Sequence, residues 1–206
     1  GEEFAIDAYF NAEGKAVLVG IFKHVFSSDT DVSDRVYITS EKIIKNNLQE
    51  FTVFINKIGA LSGVKNFPVH IELRRDIKGN LLPIEVNPMR FGGWCTTADV
   101  TYLAYGFNPY QYYYSQLKPN WPELLKDKEG KLFSIIVLDN SSGIEDEIIL
   151  SFDYEKLQSN FESPLELRKI NYKNYPVFGF LFTETRDNNF SELINILNSD
   201  LKEFIT

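Results

Sequence analysis

The sequence predicts an α+β fold: an antiparallel sheet backed by helices, followed by a small α+β unit. Three observations predict it. Apolar and polar residues alternate with a period of two over residues 4–10, 16–22, 69–75 and 82–87, as in half-buried strands. These segments pair off around turns rich in Gly, Asn and Asp, which makes hairpins and therefore antiparallel neighbours. Between the two hairpins, apolar residues recur at helical spacing from 40 to 58.

The first hairpin begins at Gly1-Glu2-Glu3-Phe4, with Phe4, Ile6, Ala8 and Phe10 on one face. Residues 11–15 form its turn, and Ala16 to Phe22 return. This strand is entered without a lead-in, so the chain reads as a piece of a longer protein. Ser27 to Ser33, polar and without a core pattern, is a loop. Ser40 caps the helix that follows, whose apolar stripe is Ile43, Ile44, Leu48, Phe51, Phe54, Ile55 and Ile58. Glycines 59 and 63 end it. After the second hairpin, Met89 to Trp94 is a glycine-bearing turn, and helices are expected over Thr97–Tyr105 and Pro109–Leu117. The tyrosines at 110 and 112–114 read as packing groups. Pro119-Asn120-Trp121-Pro122 interrupts the pattern. Beyond it come strands at 132–138, 147–152, 165–172 and 177–183, with helices at 154–161 and 190–205. The expected domains are therefore 1–118 and 119–206.

Composition narrows the function. Of 206 residues 44% are hydrophobic and 15% aromatic, enough for a packed core, so disorder is excluded. The net charge of -8 comes with no lysine or arginine run, which argues against a grip on nucleic acid. No apolar stretch approaches the roughly 18 residues of a membrane span. The single cysteine, Cys95, permits no internal disulfide and fits a reducing, cytoplasmic setting. With His24 far away in sequence, Cys95 reads as a buried, inert thiol.

The second hairpin carries the chemistry. Its arms are Val69-His70-Ile71-Glu72-Leu73-Arg74 and Pro83-Ile84-Glu85-Val86-Asn87-Pro88, around a turn at residues 76–80. If Lys78-Gly79 form a two-residue loop, Glu72 faces Glu85 and His70 faces Asn87, all on one side. A slip of one residue would part the two glutamates. Carboxylates set across a ladder repel, unless a hard cation lies between them. Carboxylate and amide oxygens are what Mg²⁺ takes as ligands. Taken alone, the glutamates read as surface acids. Asn87 on the same face, His70 in line, Arg90 close by, and Gly92-Gly93 with backbone N–H groups open to an anion favour a metal–phosphate site.

Gly1-Glu2-Glu3-Phe4 with its alternating strand, then His70-Ile71-Glu72 and Pro83-Ile84-Glu85-Val86-Asn87-Pro88, resemble the C-terminal half of an ATP-grasp domain over residues 1 to 118. That is the superfamily of carboxylate–amine and carboxylate–thiol ligases. The resemblance implies ATP and Mg²⁺ as cofactors, with Mn²⁺ as a substitute. It assigns Glu72, Glu85 and Asn87 to the metal, Glu3 to the ribose hydroxyls and His70 to phosphate. Lys23 or Arg35, flanking the polar loop, would meet the γ-phosphate as a lid cation; otherwise they are solvated charges. The segment from Arg90 to Gly93 would bind the acceptor and steady the tetrahedral intermediate. Met89 stands where many members carry arginine, and Arg90 follows one step later. The resemblance also implies an N-terminal lobe of the same polypeptide, with a flap and an adenine hinge that would end just before Gly1. The implied activity of the parent is an acyl-phosphate route joining a small carboxylate to an amine, with amino acids or peptides as candidate substrates. The competing readings are an ATP-grasp-like module without chemistry and a structural protein with a fortuitous acidic hairpin.

Overall fold

A computed structural model describes residues 1–28, 31 and 33–206. In chain order its elements are strands β1 (Glu2–Phe10), β2 (Ala16–Val25) and β3 (Val36–Thr39), helix α1 (Glu41–Ser62), strands β4 (Phe67–Arg75) and β5 (Leu81–Pro88), and helices α2 (Thr96–Tyr105), α3 (Pro109–Tyr114) and α4 (Trp121–Leu124). Then come β6 (Lys131–Asp139), α5 (Tyr154–Gln158), β7 (Ser163–Lys169), β8 (Val177–Arg186) and α6 (Ser191–Asn198). Contacts gather into two compact units, Gly1–His24 with Thr39–Glu129, and Val25–Ile38 with Gly130–Thr206.

The first unit holds four antiparallel strands in the order β5-β4-β1-β2. Helix α1 starts where Ser40 accepts the N–H of Ile43 at 3.2 Å. It stops at Gly63, whose φ of +68° admits a left-handed cap that bonds back to the Gly59 carbonyl. Its buried Ile44, Phe51 and Ile55 form the stripe that meets the Phe4–Phe10 face of β1. Phe51 stands edge-on to Phe4 at 5.1 Å. A Cβ on Gly59 would overlap the Phe10 ring, so that position has to be glycine.

The opposite face of β1 is also covered. Tyr9 donates its hydroxyl to the Leu117 carbonyl at 2.6 Å and stands edge-on to Tyr113. From Phe4 to Phe10, where both faces are buried, β1 is apolar except at Asp7. The tyrosine cluster packs as expected at Tyr112 against Phe107 and Tyr110 against Phe91, while Tyr114 is exposed. The proline-flanked break at 119–122 encloses a one-turn helix, α4, whose Trp121 is buried against Tyr105 and Phe107.

The second unit orders its strands β3-β6-β8-β7. Strand β3 has no counterpart in the expected elements; it spans only four residues, too few for a visible period. Residues 147–152 are not a strand. Ile148 and Leu150 are exposed, and only Phe152 forms an isolated bridge, to Ile205. The expected helix at 190–205 ends instead at Asn198. Ser199 Oγ takes the N–H of Leu201 and Asp200 Oδ1 that of Lys202, so local side chains outbid the helix for these donors. The loop expected over 27–33 lies partly outside the described residues.

Candidate functional site

The site is built on the sheet face of the first unit opposite α1. Antiparallel pairing places Glu3 across from Arg74, Ala5 from Glu72 and Asp7 from His70. On the other side of β4, His70 faces Asn87 and Glu72 faces Glu85. This is the register expected from the sequence, reached by a different route. The turn is not a two-residue loop. Asp76 Oδ1 accepts the N–H groups of Lys78 and Asn80, and Arg75 pairs with Leu81. Such a turn alone would leave the ladder one residue out of step. An irregularity between Glu72 and Leu73, with Ile84 as the extra residue of β5, restores it.

Beneath the two glutamates lies a buried charged node. Asp7, 0% exposed, brings Oδ1 to within 2.7 Å of His70 Nδ1. The same oxygen accepts the Gly92 N–H at 3.0 Å. The other ring nitrogen, His70 Nε2, faces Glu72 Oε1 at 3.6 Å, an ion pair somewhat long for a hydrogen bond. Burial opposes a charge on His70, but Asp7 and Glu72 outweigh it and raise the imidazole to about 9. Near neutrality it is an imidazolium. In turn the facing His70 lowers Glu72 against its own partial burial, helped by the charges of His24 and Arg90.

Glu72 and Asn87 are partly buried, whereas Glu85 is exposed on edge strand β5. Asn87 Nδ2 and Asp7 Oδ2 are buried without a hydrogen-bond partner among the described residues. Also among the described residues, no three His, Cys, Asp or Glu side chains gather into a ready cation cage. Two carboxylates and an amide are the donor set that Mg²⁺ uses when nucleotide phosphates and water complete its shell. The residues present fit that ion.

The other expected site residues fall as follows. Glu3 accepts from Arg74 Nε at 2.8 Å, and Lys23 pairs with Glu2 at 2.7 Å. Arg90 is exposed and donates to the Phe91 carbonyl at 2.9 Å. Met89 just before it adopts a left-handed φ of +66°. Gly93 is exposed and open around its Cα. Gly92 departs from the expectation of an N–H open to an anion: its N–H is taken by Asp7 and by Thr97 Oγ1, and a Cβ there would overlap the Thr97 side chain. Arg35 is neither a lid cation nor solvated. It is buried in the second unit, bonded to Asp139. Cys95 is exposed, contrary to the expected buried thiol, because the turn holds it and Trp94 in left-handed conformations at the lip of α2.

Sequence reasoning passed over Asp7 and weighed His24 only as a distant partner for Cys95. The signal for Asp7 was present: one acid inside Phe-Ala-Ile-Asp-Ala-Tyr-Phe, a strand otherwise fit for burial on both faces. His24 is buried one step beyond Lys23, which pairs with Phe4.

Residues 1–98 match the model of the ATP-grasp domain. No curated protein matches the sequence. Among solved structures, the chain is similar to L-amino acid ligase from Bacillus licheniformis, with 19% identity and a TM-score of 0.62, over 100% of this chain and 53% of that one. It is similar to phosphoribosylglycinamide synthetase from Anaerococcus prevotii, with 17% identity and a TM-score of 0.63, again over 100% and 53%. N5-carboxyaminoimidazole ribonucleotide synthetase from Thermotoga maritima gives 17%, 0.61, 100% and 52%. At these identities the likeness is one of fold, and the chain spans about half the length of the structures it matches. Among the described residues no helix is long and apolar enough to cross a membrane.

Proposed function

We propose that this chain, whose residues 1–98 match the ATP-grasp domain, is the metal-binding half of an ATP- and Mg²⁺-dependent ligase of the ATP-grasp superfamily that joins a carboxylate to an amine. One observation carries the reading. Glu72 and Glu85 stand directly across the β4–β5 ladder, with Asn87 in line on the same face. Like charges so placed cost stability, and a divalent ion removes that cost.

In this reading Glu72, Glu85 and Asn87 hold Mg²⁺ against the nucleotide phosphates. When bound, the ion supplies charge neutralisation during phosphoryl transfer. Glu3 orients the ribose once it exchanges its bond to Arg74 for the ligand. The exposed guanidinium of Arg90 meets the transferred phosphoryl group, and Gly93 leaves room for the acceptor. The substrate carboxylate attacks the γ-phosphate and ADP departs. The amine then displaces phosphate from the acyl phosphate. Adenine contacts and the phosphate-binding lysines belong to the N-terminal lobe of the parent. The structure of an L-amino acid ligase among the matches favours an amino acid or peptide as substrate.

The test is Glu85→Gln in the full-length parent. ATP-dependent phosphate release should fall at least a thousandfold while the circular dichroism spectrum and unfolding midpoint stay in place, since Glu85 is exposed. Turnover near the wild-type rate would reject the site. An unmutated parent that releases no phosphate with any amino acid and amine would favour a nucleotide-binding module without chemistry.

A further inference from the structure

We propose that Asp7 is a positioning residue for Glu72, acting through His70, and that His70 braces this carboxylate instead of contacting phosphate. The inference deepens the metal-site reading and rests on it.

The geometry points this way at both ring nitrogens. Nδ1 is held by Asp7 at 2.7 Å, and Nε2 is turned to Glu72 at 3.6 Å. A ring fixed at one nitrogen and facing a carboxylate with the other, at 5% exposure, has no edge left for a phosphate oxygen. Asp7 itself has no packing reason to be acidic. It lies fully buried opposite Gly20, where an apolar side chain would fill the space without the desolvation cost of a carboxylate. What it gains is a junction. One oxygen joins β1 to His70 on β4 and to Gly92 in the turn after β5. The strand bearing Glu72 and the turn bearing Arg90 are thereby fixed to the same atom. Partners of this kind behind a ligating carboxylate typically matter about ten- to a hundredfold for metal affinity.

The probe is Mn²⁺ alone, titrated into the 206-residue chain and followed by water-proton relaxation. NMR reads the Glu72 carboxyl carbon and the imidazole nitrogens of His70 directly. Asp7→Asn keeps an oxygen for the Gly92 N–H and removes the charge that holds the ring. The expected result is a shift at His70 and Glu72, and Mn²⁺ affinity lower by about tenfold. A lower unfolding midpoint with the Glu72 signal and Mn²⁺ affinity unchanged would mean a purely structural acid, and would overturn the proposal. If the unmutated chain binds Mn²⁺ no better than Glu72→Gln, the metal reading fails instead. Asp7 is then judged on the Glu72 carboxyl signal alone: moved by Asp7→Asn, the brace stands; unmoved, it falls. Should Asp7→Asn not fold, His70→Gln, which leaves Asp7 its Gly92 donor, is read at Glu72 in the same way.

Discussion

The two units bury charge in opposite ways. In the second, Arg35 is 4% exposed, and its guanidinium ends entirely on protein. Nε and Nη2 reach Asp139 at 3.0 and 2.8 Å, Nη2 also reaches Ser141 Oγ at 2.6 Å, and Nη1 donates to the carbonyls of Ile196 and Ser199. In the first, the buried Asp7–His70 pair hands its charge outward to Glu72, whose side chain keeps 30% of its surface, and beyond it stand the exposed Glu85 and Arg90. A charge closed in by partners joins elements together. A charge led to an open edge strand remains available to a ligand. Both chains of partners reach the surface, since the Asp139 side chain keeps 37% of its own. The difference is that Arg35 uses its donors on oxygens of its own unit, whereas the Asp7–His70 pair ends on a carboxylate that faces a second acid across the ladder.

Three measurements would break or sharpen that contrast. The largest effect is expected at the enclosed charge. Arg35→Met strands Asp139 and two carbonyls, and urea unfolding should show a loss of about 3 kcal/mol, with Mn²⁺ affinity of the hairpin unchanged. A loss of affinity there would mean that Arg35 is not purely structural.

Next is the pH dependence of the metal-free chain. Because the folded state holds His70 at about 9, above its ordinary 6.5, protonation contributes stability in full below pH 6.5. That contribution fades as pH rises through 9, by on the order of 3 kcal/mol. Equilibrium unfolding from pH 6 to 9.5 should show the decline, and His70→Gln should abolish it. A flat profile in the unmutated chain would mean that the imidazole is neutral and the node carries no cation.

The smallest is at the turn. Gly92→Ala should cost about 2 kcal/mol in thermal or urea unfolding through overlap with Thr97. Thr97→Ala in the same chain should recover part of it. If the double variant recovers nothing, the loss comes from the Gly92 N–H bond to Asp7 and not from crowding.

Much of this was legible beforehand. The period-two segments, the Ser40 cap and the stripe from Ile44 to Ile55 locate β1, β2, β4, β5 and α1, because each signal is local and repeated over many residues. The acids of the hairpin announce themselves by type and spacing. The C-terminal unit was harder to read. An apolar run such as Ile148-Ile149-Leu150 looks like a strand whether or not a sheet edge exists to receive it. A stripe continuing to Ile205 looks helical unless Ser199 and Asp200 are seen to take the donors. The hairpin register came out as expected although the assumed turn did not form, since the extra residue at Ile84 offset the longer turn.

By itself, then, the sequence determined which residues alternate, where the main helix begins, and that two glutamates and an asparagine stand at the right spacing to meet. It did so because a strand or helix repeats within a few residues. Tertiary structure alone decided that Asp7 lies beneath His70, that Gly92 gives its N–H to the same oxygen, and that Arg35 is bonded to Asp139. Those partners are 63, 85 and 104 residues apart in the chain. Whether a charge is sealed or left open depends on what other strands and turns bring to its side, and no local pattern carries that information.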